Sequence, residues 1–152
     1  MCANRVELVE DLNRLMAEET EACLRYFQMR FRLRGSGRAA AEKFFEEALR
    51  ETLEHADAIA QQIRSLGHIP RLHINLSLDG GPIGPAEALA EALDVEQQAL
   101  DAYRDFLPRA AGHPVLEAFV RAQIAVETEH VQEILTIVSA AGPLKLVKSP
   151  GS

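Results

Sequence analysis

The sequence contains no tryptophan, two tyrosines and six phenylalanines, so aromatic residues make up only 5% of its 152 positions. A β-sandwich or barrel draws heavily on aromatic side chains, and this chain has few to give. Cysteine is equally scarce. Cys2 and Cys23 have no metal-type spacing, and in a reducing compartment they read as free thiols, Cys23 as a small packed residue. No apolar run approaches the roughly 20 residues of a membrane span. The opening "MCANRVELVEDL" lacks both the basic start and the apolar core of a signal peptide, so a cytoplasmic protein with no membrane partner is expected. Positive charge is also in deficit: 16 Lys and Arg against 23 Asp and Glu leave a net charge of -7. Such a surface has no attraction for nucleic acid or anionic lipid and instead draws cations.

What remains is rich in Ala, Leu, Glu, Gln and Arg, with 47% apolar and 26% charged residues. These are good helix formers, and the profile is all-α. The length suits one domain, residues 1–152. Four apolar seams with helical period follow one another. The first, predicted over 3–34, runs through Leu8, Leu12, Leu15, Glu19, Ala22, Tyr26, Met29 and Leu33. After the turn "RGSGR", a second helix over 37–66 carries Ala41, Phe45, Ala48, Thr52, His55, Ile59, Gln62 and Leu66. The third, 85–111, opens on Pro85 and places Leu89, Leu93, Glu96, Leu100, Tyr103 and Leu107 inward. The fourth, 113–140, does the same with Leu116, Val120, Gln123, Glu127, His130, Ile134 and Ile137. Residues 67–84 contain two prolines and four glycines, and Ile74, Leu76 and Leu78 alternate there as in an extended segment lying on the bundle. A connection this long travels the length of the bundle and lets the third helix run parallel to the second. The tail 143–152 has no helical signature.

Five ionisable residues interrupt these seams: Glu19, His55, Glu96, Glu127 and His130. Each lies near the middle of its helix, so in a bundle with aligned ends they converge on one layer. Buried unpaired ions are very unfavourable, and no Lys or Arg lies on a seam to neutralise three carboxylates. Two divalent metal ions would do so, and oxygen and imidazole donors without thiolate suit iron, manganese or zinc. Glu127 and His130, three apart on one helical face, can both reach an ion held between helices. Taken alone, a Glu-x-x-His pair is better explained by a hydrogen-bonded polar core, and it is the coincidence of five such residues at one height that favours a metal site. Tyr26 and Tyr103 read as core residues whose hydroxyls reach a partner.

Over residues 4–142 the chain resembles the ferritin-like di-iron carboxylate proteins, and among them the bacterioferritins. The resemblance rests on "LNRLMAEETEACLRYF", on "HAD" at 55–57 with Pro70 beyond it, on the region of Glu96, and on "ETEH". It implies a four-helix bundle with one long crossover between the second and third helices and a pair of irons inside it. Glu19 and Glu96 then match the terminal carboxylates, His55 and His130 the imidazole ligands, Glu127 one bridging carboxylate, and Tyr26 a tyrosine beside the metals. The other bridging position is Thr52 here, and Glu51, turned about 100° away, is the nearest carboxylate that leans in. The family's haem takes a methionine where this chain has Leu53, so haem is not expected. Bacterioferritins also carry a short fifth helix that helps close a shell, whereas this tail holds Gly142, Pro143 and Pro150.

The resemblance implies a ferroxidase that oxidises Fe(II) with oxygen or peroxide for iron storage or detoxification, weakened by Thr52. Its partners are Fe(II), the oxidant and further copies of the chain or a related subunit. A second reading is a structural or regulatory subunit with an impaired centre that co-assembles with a complete partner. A rubrerythrin-like peroxidase is disfavoured because no Cys-x-x-Cys module is present. A DNA-protecting mini-ferritin holds its metals between subunits, whereas these donors fall inside one bundle.

Overall fold

The first helix, α1 (Arg5–Arg32), starts at a capping box. The Asn4 side chain accepts the Glu7 amide at 2.9 Å, and the Glu7 carboxylate accepts the Asn4 amide at 3.2 Å. The computed structural model describes residues 4–78 and 80–140, so the expectations for Cys2 and for the tail 143–152 lie outside it. α1 turns into α2 (Arg38–Ser65) through Gly37, whose φ of 84° is a left-handed conformation that a side chain would disfavour. α2 stops at Gly67, also left-handed at φ 85°, where the His68 amide returns to the Ile63 carbonyl at 3.2 Å.

α1 and α2 have 28 residues each, about 42 Å at 1.5 Å per residue. The extended crossover covers that distance. Ile74, Leu76 and Leu78 are half-buried while His73, Asn75 and Ser77 are exposed, which is the alternation of a strip lying on the bundle. A bridge between Leu33 and Ile83 pins its far end, with the Arg34 amide donating to Ile83 at 2.9 Å. Arg32, the last residue of α1, donates to the Gly81 carbonyl at 2.7 Å and so holds the crossover in place.

α3 (Pro85–Phe106) therefore runs parallel to α2, and α4 (Pro114–Ala140) runs back. α3 does not continue to 111. Pro108 removes a backbone donor, and residues Leu107–Ala110 tighten into a 3-10 turn before Gly112. The seam at the start of α3 also differs from expectation by one residue. Ala88 and Ala92 are buried and Leu89 and Leu93 only partly so, since the small side chains let α3 approach closely and the leucines cover the flank. Ile137, expected inside, is 36% exposed near the end of α4.

Two apolar clusters fill the bundle. One joins Leu8, Leu12 and Leu15 of α1 to Ile59 and Ile63 of α2, Tyr103 and Phe106 of α3, and Leu116 and Val120 of α4. The other joins Tyr26, Met29 and Leu33 to Phe45, Ala88, Ala92 and Ile134 at the opposite end. Between them lies a polar waist. No helix among the described residues is long and apolar enough to cross a membrane.

Candidate metal centre

The waist gathers all five seam ionisables. Glu19 comes from α1, His55 from α2, Glu96 from α3, and Glu127 and His130 from α4, each brought in by the helical period that buries its neighbours. Glu127 is the most enclosed, at 1% exposure. Its Oε1 lies 2.9 Å from His55 Nδ1, and its Oε2 lies 3.6 Å from His130 Nδ1. His55 Nδ1 is 3.6 Å from Glu19, and His130 Nδ1 is 3.3 Å from Glu96. The two imidazoles stack with centroids 5.6 Å apart and planes 13° from parallel.

The result is two groups of three donors, Glu19–His55–Glu127 and Glu96–Glu127–His130, with the ligand atoms of each within 4.8 Å of one another. Glu127 belongs to both. Its Oε2 is buried and makes no hydrogen bond, an orphaned anion of the kind that a cation satisfies. The donors are oxygen and imidazole nitrogen, a set that suits iron, manganese or zinc.

The terminal carboxylates are held by tyrosines from the opposite helix. Tyr26 of α1 donates to Glu96 at 2.5 Å, and Tyr103 of α3 donates to Glu19 at 2.7 Å. Sequence reasoning tied only Tyr26 to the centre. The signal for Tyr103 is an internal repeat: each tyrosine follows a site glutamate by seven residues, Glu19 to Tyr26 and Glu96 to Tyr103. Burial, and then the adjacent carboxylates, push both phenols well above their ordinary range, so they stay protonated donors.

The expectation that the chain supplies no internal counter-charge needs correction. Burial alone would lower both imidazoles, but the carboxylates around them prevail and raise His55 and His130 to about 10. Burial would likewise raise Glu127, yet His130 and His55 outweigh it and hold it down at about 2. Without metal, two imidazolium ions neutralise most of the carboxylate charge. Burial raises Glu96 to about 7 and also raises Glu19.

Thr52 is 5% exposed, and its hydroxyl donates to the Ala48 carbonyl at 2.7 Å, so no carboxylate enters the centre from that position. Glu51 points to the α2–α4 side, where its Oε2 meets His130 Nε2 at 3.2 Å; its side chain is 53% exposed. A cleft of about 30 Å³ opens there, with Glu47, Glu51 and Glu133 at its mouth and Glu96 and His130 on its wall. That is room for one water-sized guest, and it gives solvent a route to the His130 side. A larger groove of about 450 Å³ between α1, α3 and the crossover reaches Tyr26 and none of the five donors. Leu53 is 56% exposed, on the outer surface of α2.

Among solved structures, a ferritin-like, diiron-carboxylate protein from Bacillus anthracis superposes with a TM-score of 0.79 at 26% identity, covering 91% of this chain and 99% of that one. A dodecameric thioferritin, the bacterioferritin-related protein of Bacteroides fragilis, gives 0.81 at 23% identity, over 95% of this chain and 93% of that one. A Dps protein from Bacillus brevis gives 0.79 at 16% identity, over 88% and 96%. The last two likenesses, below 25% identity, speak for the fold alone. No curated protein matches the chain. The model of the ferritin-like domain matches residues 9–141, and by that match the chain belongs to the ferritin-like family.

Proposed function

We propose that the chain is a ferroxidase that takes up Fe(II) at the waist of its bundle, oxidises it with oxygen or peroxide, and so contributes to iron storage or detoxification in the cytoplasm. The observation that carries this reading is the pair of three-donor groups sharing Glu127, whose Oε2 is buried and makes no hydrogen bond. The similar Bacillus anthracis protein is described as a diiron-carboxylate protein, which supports the same chemistry here.

Glu19, Glu96 and Glu127 would hold the ions together with His55 and His130, and carboxylate donors favour Fe(III) over Fe(II). Two ions held side by side can supply two electrons to one oxidant. The remaining work belongs to the chain. Tyr26 and Tyr103 fix the outer carboxylates in place. His55 and His130 give up protons as metal enters. The apolar clusters pack the waist from above and below, and the α2–α4 cleft opens on its His130 side. The acidic surface raises the local concentration of cations. Haem has no part in this reading, because Leu53 offers no thioether.

A second reading is supported by Thr52, whose hydroxyl is already engaged and which brings no charge to the centre. On that reading the chain is an impaired subunit that contributes contacts to a mixed assembly. Anaerobic Fe(II) titration of the metal-free protein, followed by exposure to oxygen or peroxide, separates the two. Two irons per chain and rapid oxidation support the ferroxidase; one iron or none, with slow oxidation, supports the impaired subunit. Light scattering of the same sample reads the size of the assembly, for which a homo-oligomer is expected.

A further inference from the structure

We propose that Glu51 is the orienting carboxylate of His130: it holds the imidazole with Nδ1 toward the metal position and is not a ligand replacing the carboxylate absent at position 52. This inference rests on the reading of the waist as a metal centre.

The two ring nitrogens of His130 keep different company. Nδ1 is 3.3 Å from Glu96 and 3.6 Å from Glu127, the carboxylates that form a donor group with it. Nε2 faces the other way and meets Glu51 at 3.2 Å. Because the two nitrogens of one ring point in roughly opposite directions, a carboxylate seated on Nε2 cannot share an ion with Nδ1. His55 is turned the same way, its Nδ1 lying 2.9 Å from Glu127 and 3.6 Å from Glu19. Each donor group therefore uses an Nδ1.

The position of Glu51 on α2 explains why it stops short. Thr52 faces the interior, and one residue back along the helix turns the side chain by about 100°. Glu51 thus leaves the bundle toward α4 and approaches His130 from its outer edge. Its side chain is 53% exposed, against 1% for Glu127, which lies between the two groups. A neutral imidazole that binds metal through Nδ1 carries its hydrogen on Nε2, and that hydrogen needs an acceptor. Glu51 supplies one, fixing the tautomer and raising the basicity of the ligand nitrogen. Among the described residues His55 Nε2 has no comparable carboxylate. The two metal positions are consequently unequal: one is supported from outside by Glu51, and the other is not.

The test is anaerobic Co(II) titration of the full chain in three forms, native, Glu51→Gln and Glu51→Ala, with ¹⁵N-histidine spectra of the Zn(II)-loaded native protein. The native chain is expected to bind two Co(II). Glu51→Ala should keep both positions but weaken one by about 10- to 100-fold, the usual effect of losing such a partner. Glu51→Gln, whose amide oxygen still accepts from Nε2–H, should recover most of that loss even though the charge is gone. The spectra should show His130 protonated at Nε2 and bound through Nδ1. A drop to one Co(II) in both variants would make Glu51 a ligand and overturn the assignment. So would ligation through Nε2, a glutamine variant as weak as the alanine one, or an alanine variant that binds like the native chain. If the native chain binds no Co(II), the metal-centre reading itself fails and takes this assignment with it.

Discussion

Adding Zn(II) to the metal-free protein at pH 8 is expected to release about two protons per chain. The prediction follows from the carboxylate surroundings that hold His55 and His130 at about 10. At pH 8 an imidazole with the ordinary value near 6.5 is only about 3% protonated, whereas one held near 10 is about 99% protonated. Metal binds the neutral ring, so each ion must displace one proton, at a cost of about 3 kcal/mol at this pH. Apparent affinity per ion should then rise about tenfold for each pH unit between 7 and 9. As the pH falls through 7, Glu96, raised to about 7 by burial, holds a further proton that metal must also displace. Calorimetric titration in two buffers of different ionisation enthalpy gives the proton count directly, and Zn(II) avoids oxidation. Hydroxide formation at a bound ion only adds to the release. Fewer than half a proton per chain at pH 8 would show that the imidazoles are neutral before metal arrives, and the account of internal neutralisation would be wrong.

The same groups set the stability of the metal-free chain. The imidazoles are raised from 6.5 to about 10, so their contribution is complete below 6.5 and is lost as pH rises through 10. Glu96, raised from 4.5 to about 7, adds to the decline between those values. Glu127, lowered from 4.5 to about 2, costs stability only as the pH falls through that range. The metal-free melting temperature should be higher at pH 6 than at pH 9, and a flat profile between them would contradict the shifts. Thr52→Glu places another carboxylate in the waist; it should destabilise the metal-free chain by about 3 kcal/mol in urea titration and speed Fe(II) oxidation in stopped flow. An unchanged rate would mean that another group already does the work of that carboxylate. Tyr103→Phe removes the donor that satisfies Glu19, with an expected loss of about 2 kcal/mol of metal-free stability, and a loss below about 0.5 kcal/mol would mean the hydroxyl is not needed there.

Much of this was legible in the sequence because the helical period does two things at once. It identified the buried stripe of each helix, and it exposed the polar residues that do not belong on such a stripe. All eight positions of the first seam, from Leu8 to Leu33 just past the end of α1, are buried, Glu19 among them. The period was less decisive on α3, where Ala88 and Leu89 are both apolar neighbours. Choosing the larger residue ignores how closely two helices can pack when the contact is alanine, and the interior belongs to the alanines. Asp11 was passed over for a related reason. It is 8% exposed and paired with Arg14 one turn along α1 and with Arg109 across the end of the bundle, and the second partnership is one that no local pattern in α1 announces. Charge at the waist escaped in a different way. Counting only Lys and Arg as cations assumes that histidine keeps its ordinary titration range, an assumption that fails when carboxylates crowd the ring.

On the proposed reading, that correction alters what a bound metal would be for. If bound ions were the only means of neutralising Glu19, Glu96 and Glu127, the chain would need them in order to fold. Two protons on His55 and His130 supply most of the same charge, and Tyr26 and Tyr103 satisfy the outer oxygens with hydrogen bonds. Apolar clusters pack the bundle on either side of the waist. A fold that holds its site open with protons can exchange them for metal and take them back. Such a site suits ions that pass through better than ions locked in for structure. The asymmetry of the waist points the same way, since the cleft between α2 and α4 reaches Glu96 and His130 while Glu127 stays sealed beneath them. An ion entering by that cleft meets the His130 position first, and Glu127, common to both groups, is the only one of the five donors that links it to the second.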